Sequence, residues 1–455
     1  MDQNVKNTEA VYDARTLGTG KTLVLGAQHL FAMFGATVLV PAITGLNVST
    51  TLLFAGLGTL LFHLITGRKV PAFLGSSFAF LGGYAAIAPT VDAAGNAVNN
   101  AALLPYACAG VAVAGLVYLV LACFFKVFGA KQVMRFFPPI VTGPIIICIG
   151  LTLAKSAIDN CNSNWLVALV AIAVVVICNI WGKGMVKIVP ILLGVVASYL
   201  FAMVVDPAAR ETVVQKVSEA DWIGLPIIWV NTVFSIFGAE FDGGLLLTSI
   251  VTITPIALAT MVEHVGDVCA ISSTVGKNYV ADPGLHRTLT GDGLATTLAS
   301  LFGAPANTTY GENTGVLALS RVYDPNVVRL AATYAIVLSF SPLFDALVNS
   351  IPAAIVGGVS FILYGMISAV GIRNVVENKV DLTDSRNLII AAVILVCGLG
   401  FSGGITFYVG STAITLTAMA IAAIAGVALN AILPGNDYVF GTDAKGDGSA
   451  NLGTY

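Results

Sequence analysis

The sequence predicts an all-α polytopic membrane protein whose fourteen transmembrane segments form two inverted seven-span repeats. Composition, the length of the apolar runs and the placement of basic residues support this fold class. Of the 455 residues, 57% are hydrophobic and 10% are charged, whereas a soluble domain normally carries about a quarter charged residues. A chain this poor in charge cannot cover its own surface in water. A soluble enzyme and a nucleic-acid-binding protein are therefore excluded.

The apolar runs are near the length of about 20 residues that an α-helix needs to cross a hydrocarbon core of roughly 30 Å. Two of them are short in apolar residues and interrupted by Gly or Pro, namely 71–88 and 308–320. The predicted spans are 22–44, 51–67, 71–88, 103–122, 136–154, 164–181, 188–205, 245–264, 288–303, 308–320, 330–348, 352–371, 387–401 and 411–433.

The basic residues give the orientation, because Lys and Arg are retained on the cytoplasmic side of short loops. With the N-terminus inside, all but three of the 21 basic residues fall in cytoplasmic segments, the exceptions being Lys155, Arg210 and Lys216. The alternation predicts a multi-pass protein of the bacterial inner membrane. Its N-terminal tail 1–21 and C-terminal tail 434–455 are both expected in the cytoplasm.

An odd number of spans per repeat inserts the second copy upside down, which is the plan of many secondary transporters. Weak internal matches occur in the same order in both halves. Gln28-His29 in span 1 corresponds to Glu263-His264 in span 8, and Pro71 and Pro305 precede the two broken spans. These matches predict two seven-span halves.

Acidic residues at membrane depth are the first candidates for function, because a carboxylate in hydrocarbon costs several kcal/mol. Glu263 lies near the end of predicted span 8, and Glu312 lies in the broken span 10. Asp267 is one helical turn beyond Glu263 on the same face. The alternative for each is a buried acid with a purely structural partner.

The broken spans supply the second part of the predicted site, since unpaired backbone at membrane depth is tolerated only beside protein or a wet cavity. The stretches are GSSFAF (75–80) and TTYGEN (308–313). Their free amides can donate to carbonyl oxygens, the acids can accept N–H groups, and Phe78 or Tyr310 can cover an aromatic face. With no Lys or Arg at membrane depth, a small, planar, uncharged ligand such as a nucleobase fits.

Several motifs resemble the nucleobase/ascorbate transporter family, in particular its bacterial uracil-transporting members. They are QHLFAMFGATVLVP (28–41), KVPAFLGSSFAF (69–80), EHVGD (263–267), DPGLHRTLTGDG (282–293), NTTYGENTGVLALSR (307–321) and GGVSFILYG (357–365). The resemblance implies strand-like stretches in spans 3 and 10. It also implies a core domain of spans 1–4 (22–122) and 8–11 (245–348), and a gate domain of spans 5–7 (136–205) and 12–14 (352–433).

The resemblance further implies a secondary active transporter, not an enzyme, that imports uracil by proton symport through alternating access as a homodimer. It assigns substrate binding to Glu263, Glu312, Phe78, Tyr310 and Gly311. The proton-coupling network would comprise Glu263, His29, Asn313 and Asp267, with Tyr364 on the gate side. Protons and the lipid bilayer are the other expected partners, and no cofactor or metal is expected.

Two positions depart from the family pattern. Ser320 replaces the usual Thr of the span 10 signature, and Asp267 stands where some uracil transporters have a histidine, so that histidine's role in proton coupling does not carry over. An anion transporter of the same fold, a xanthine or purine transporter and an intramembrane enzyme remain as alternatives. An acid at position 312 repels anions, and the protease motif H-E-x-x-H is absent.

Overall fold

The computed structural model describes residues 10–90, 98–238, 241–401, 403–409 and 412–435. Most of the predicted C-terminal tail and the first nine residues of the N-terminal tail lie outside the described residues. The helices are α1 (Thr19–Thr44), α2 (Val48–Ile65), α3 (Leu81–Ile87), α4 (Leu104–Phe128), α5 (Ala130–Met134), α6 (Pro139–Cys161), α7 (Trp165–Trp181), α8 (Met185–Ile188), α9 (Pro190–Val205), α10 (Pro207–Glu219), α11 (Gly243–Ile253), α12 (Ala257–Val275), α13 (Leu285–Leu301), α14 (Gly311–Ser320), α15 (Pro325–Ser339), α16 (Pro342–Asn349), α17 (Ala353–Glu377), α18 (Ser385–Gly400) and α19 (Ala418–Ile432). The strands are β1 (Leu74–Ser76), β2 (Asn307–Thr309), β3 (Ile405–Val409) and β4 (Thr412–Leu416).

Each predicted span corresponds to one of these elements or to a pair of them. Within the described residues, six helices are long and apolar enough to cross a membrane, or eight if each of two bent pairs is one span. Three shorter apolar helices, α7, α18 and α19, account for spans 6, 13 and 14. Helix α13 is span 9, and the two broken spans are β1 with α3 and β2 with α14.

Helices α4, α6 and α17 run beyond their predicted ends, to Phe128, Cys161 and Glu377, and three other spans differ more in shape or extent. Span 8 is interrupted by a short turn at Pro255 and continues to Val275, because Glu263 and Asp267 lowered the apolar signal without ending the helix. Span 11 is bent by 87° before Pro342. Span 14 begins as a helix only at Ala418, after an antiparallel β3–β4 hairpin whose β-branched and aromatic residues favour strands.

The two broken spans meet at the centre of the fold. Strands β1 and β2 pair antiparallel, with Leu74 opposite Thr309, Gly75 opposite Thr308 and Ser76 opposite Asn307. All six strand residues are buried. The predicted strand-like stretches in spans 3 and 10 are thereby confirmed, and they form a single ladder shared by both halves.

Helix packing repeats across the two halves. Helix α4 packs on α13 as α15 packs on α2, and α7 packs on α9 as α18 packs on α19. Helices α6 and α17, which occupy equivalent places in the two halves, pack most extensively on each other. The resulting two-repeat architecture has a core group around α1, α2, α4, α13 and α15 and a gate group around α6, α7, α9 and α17–α19.

Basic loops from both halves gather at one end of the molecule. Lys69 forms an ion pair with Asp282 at 2.5 Å, which joins the loop after α2 to the loop after α12. The Tyr12 hydroxyl donates to the Val275 carbonyl, and the Ala14 amide donates to Asp324 at 2.8 Å. The segment before α1 is thus fastened to the end of α12 and to the loop before α15 in the second half.

Candidate functional site

The candidate site lies where α12 packs against β2 and α14. Helix α14 begins at Gly311 directly after β2, and its N-cap residue Tyr310 makes no side-chain cap hydrogen bond. The first N–H groups of an α-helix have no intrahelical partner. Backbone donors are therefore available at the junction of β2 and α14, as the broken span predicts.

Glu263 on α12 and Glu312 in the first turn of α14 are brought together, close enough for their carboxylate charges to interact. Both side chains are only partly exposed. Among the residues that the structure describes, neither carboxylate has an ion pair or a hydrogen bond with another residue. Two acids with no protein partner at membrane depth are an acceptor site for a ligand that carries N–H donors.

Asp267, in contrast, already has a partner. The Thr309 hydroxyl on β2 donates to Asp267 Oδ2 at 2.7 Å. This is the usual length of a well-formed O–H···O hydrogen bond in proteins. Asp267 therefore links α12 to the central strand pair, and a change in its charge acts directly on β2.

Tyr310 holds the two broken spans in register. Its hydroxyl donates to the Ser76 carbonyl at 2.9 Å and accepts from the Thr37 hydroxyl at 3.2 Å. Its ring lies against Gly75, where an added Cβ would be 2.5 Å from the ring. The side chain is 4% exposed, so these contacts favour a positioning role, and the predicted contact of Tyr310 with a ligand stays a prediction.

His29 and Asn313, two residues of the expected proton-coupling network, are hydrogen-bonded to each other. Asn313 Nδ2 donates to the His29 carbonyl at 3.0 Å and lies 3.1 Å from His29 Nδ1. Both side chains are buried. Because α1 carries His29 and α14 carries Asn313, this pair fixes the rotation of the helix that presents Glu312 and Gly311.

Phe78 and Tyr364 form a contact between the two helix groups. Phe78 follows β1 in the core group, and Tyr364 lies on α17 in the gate group. Their ring centroids are 6.1 Å apart at an interplanar angle of 75°, an edge-to-face arrangement that aromatic pairs favour. The predicted gate-side residue is thus in direct contact with a predicted substrate-binding residue.

Sequence reasoning missed a buried pair behind the glutamates. His264 Nδ1 lies 2.9 Å from Asp292 Oδ2, and both side chains are fully buried. Asp292 is close enough to Glu263 for its charge to act there. The signal was available, because Asp292 falls inside predicted span 9 and an acid at membrane depth is a functional candidate by default.

The described part of the chain contains neither a cluster of metal-ligating residues nor a disulfide bond. No group of three His, Cys, Asp or Glu residues there is placed to hold a metal ion. The seven cysteines are free. The groups at the candidate site are carboxylates, amides and hydroxyls, which form hydrogen bonds and carry charge.

Comparison with known proteins identifies the family. Residues 20–407 match the profile of a permease family. The chain is 41% identical over 425 residues to a uracil permease of Bacillus caldolyticus, covering 91% of this chain and 93% of that protein. It is 40% identical over 422 residues to a uracil permease of Bacillus subtilis (strain 168), covering 90% and 91%. A putative pyrimidine permease, RutG of Escherichia coli (strain K12), is 36% identical over 423 residues, covering 91% and 89%.

Solved structures share the fold at low sequence identity. The transmembrane domain of the cyanobacterial bicarbonate transporter BicA has a TM-score of 0.59 and 14% identity, covering 90% of this chain and 98% of that one. The SLC26A9 structure has a TM-score of 0.63 and 12% identity, covering 92% and 66%. With the sequence matches, these findings show that the chain belongs to this permease family and is a multi-pass membrane transporter, not an enzyme.

Proposed function

We propose that the protein imports uracil together with protons by alternating access. The observation that carries this proposal is the pair of carboxylates, Glu263 and Glu312, which bond no other described residue, beside the first-turn backbone N–H groups of α14. The names of the relatives, uracil permeases of two Bacillus species, point to the same substrate.

The hydrogen-bonding groups of uracil are complementary to the carboxylates and backbone amides of the candidate site. Its ring has two N–H donors and two carbonyl acceptors in one plane. Carboxylates accept N–H groups, and the amides around Gly311 and Phe78 donate to carbonyl oxygens. The Phe78 ring packs against the apolar cluster that contains Tyr310, the residue before Gly311, and supplies an apolar surface there.

Protons are the natural coupling ion for this set of acids. Glu263, Glu312 and Asp267 place three carboxyl groups in one region with little water. Like charges at such separations repel strongly in a low dielectric, so binding one proton relieves repulsion while the ligand occupies the site. One proton moving through about 150 mV releases roughly 3.5 kcal/mol, which sustains a uracil gradient of about 300-fold.

Movement of the core group against the gate group would provide alternating access. We assign 22–122 and 245–348 to the core domain and 136–205 and 352–433 to the gate domain, which agrees with the packing of their helices. The Phe78–Tyr364 contact crosses this boundary.

Placement in the inner membrane with both termini in the cytoplasm follows from the basic loops, and the homodimer follows from the family resemblance.

Uptake of labelled uracil into proteoliposomes tests the proposal. Accumulation is expected when the outside is made acidic, and it should collapse with a protonophore. Thymine, xanthine and bicarbonate are the competitors. A protein that accumulates bicarbonate but not uracil would instead be an anion transporter on the BicA fold, and competition by xanthine alone would indicate a purine transporter.

A further inference from the structure

The segment 222–237, between α10 and α11, exposes an unusual amount of apolar surface for a connection between spans. Its most exposed side chains are Trp222 at 79%, Ile223 at 83% and Leu225 at 85%. Trp229, Val230 and Phe237 are also mostly exposed. The segment contains no Asp, Glu, Lys or Arg. Contiguous apolar surface of this kind marks a binding surface and not a water-facing loop.

The segment is nevertheless firmly held, which distinguishes it from a loose loop. The Thr50 hydroxyl at the start of α2 donates to the Pro226 carbonyl at 2.5 Å. The Gly224 amide donates to the Phe340 carbonyl at 3.0 Å, immediately after α15. These bonds fix one side of the segment to the core group and leave the apolar side chains outside.

A ladder of four aromatic rings fastens the segment further. Phe54 of α2 stacks on Phe302 with centroids 5.2 Å apart, and Phe302 meets Phe234 edge-to-face at 5.7 Å. Phe234 in turn stacks on Trp229 at 5.8 Å. Trp229 is therefore the outermost ring of a stack that begins inside the core group.

The position of the segment along the membrane normal is set by these partners. It touches the start of α2 and the ends of α13 and α15, at the end of the molecule away from the basic loops. Helix α10, which precedes it, is bent by 112° from α9. A helix bent this far runs across the membrane normal, as interfacial helices do.

We propose that segment 222–237 is an interfacial anchor that inserts its Trp, Ile and Leu side chains among the phospholipids of the outer leaflet, at the level of the glycerol backbone. Tryptophan is enriched at that level because its ring is apolar with one polar edge. Irregular backbone is tolerated there because the headgroup region is hydrated. The apolar surface continues onto Val337 and Phe340, which are exposed on and beside the neighbouring α15. Lipid can cover the apolar side chains of 222–237 together with Val337 and Phe340 as one continuous surface.

The four tryptophans of the chain make the test direct, since the other two, Trp165 and Trp181, begin and end α7. The variant Trp165→Phe/Trp181→Phe retains only the anchor tryptophans, and Trp222→Phe/Trp229→Phe is the matched control. Both proteins are reconstituted in nanodiscs whose phospholipids carry bromine either near the glycerol backbone or near the acyl-chain end.

The anchor tryptophans are expected to lose most of their emission in the shallow brominated lipid, to lose less in the deep one, and to resist aqueous acrylamide. Adding Ile223→Asp and Leu225→Asp should move them toward water and reverse this pattern. Strong acrylamide quenching without bromine quenching in the parent variant would overturn the proposal in favour of a water-facing loop. Protection from both quenchers would overturn it in favour of a protein partner, including a second copy of the chain.

Discussion

Replacing Glu312 by alanine should weaken uracil binding without weakening the ligand-free protein. In the described residues the Glu312 carboxylate bonds no other residue and accepts only from its own backbone N–H, so its removal leaves no partner side chain unpaired. The substitution therefore mainly weakens the complex with uracil, because one ring N–H loses its hydrogen-bond acceptor. An unpaired buried donor costs about 1–3 kcal/mol, which is about 5- to 150-fold in Kd at about 1.4 kcal/mol per tenfold.

Binding of labelled uracil to purified protein in detergent measures this loss, and thermal melting with and without uracil separates binding from folding. Glu377→Ala is the control, because its ion pair with Arg373 is a surface contact of 3.8 Å that is worth little. Asp345 is unsuitable as a control, since it accepts from the Val48 and Ser49 amides at the start of α2. Equal affinities for Glu312→Ala and Glu377→Ala would refute the assignment of Glu312 to the site.

Three further outcomes follow from the structure. Glu263→Gln keeps the shape of the side chain but removes the titrating group, so proton-driven accumulation should vanish while exchange of labelled for unlabelled uracil persists; accumulation at the wild-type level would contradict the coupling role. In a background without native cysteines, Leu382→Cys should resist impermeant reagents added to intact cells whereas Glu211→Cys reacts, and the reverse pattern would invert the topology. Asp292→Ala should lower stability by about 1–3 kcal/mol because it leaves the buried His264 Nδ1 without its partner, and replacing both residues by apolar ones should cost less; melting temperatures that fall further in the double variant would argue against this pairing.

The fold was largely predictable because the bilayer imposes a simple rule on sequence. A span needs an apolar run of fixed length, and loop charges obey one orientation rule, so composition alone located most helices. The rule fails where a span carries functional polarity. Glu263 and Asp267 made the apolar run of span 8 end early, although the helix continues to Val275.

The site was predictable in its residue types but not in its pairings. The acids at membrane depth indicated Glu263 and Glu312 as candidates without any knowledge of the fold, whereas Gly311 came from the family resemblance. No local pattern could show that Thr309 bonds Asp267, or that Tyr310 uses its hydroxyl on Ser76. Such pairings join positions tens to hundreds of residues apart, and only the packing of the two halves determines them.

The shared strand pair has a consequence for how the protein is made. β1 enters the membrane early in synthesis, but its partner β2 begins only at Asn307, more than 200 residues later. Until then the edge of β1 exposes N–H and C=O groups that hydrocarbon cannot satisfy. The third span of the first half therefore stays incomplete, or is shielded by the insertion machinery, until β2 is synthesised. A chain that ends before residue 307 would be unable to reach the final fold in the membrane.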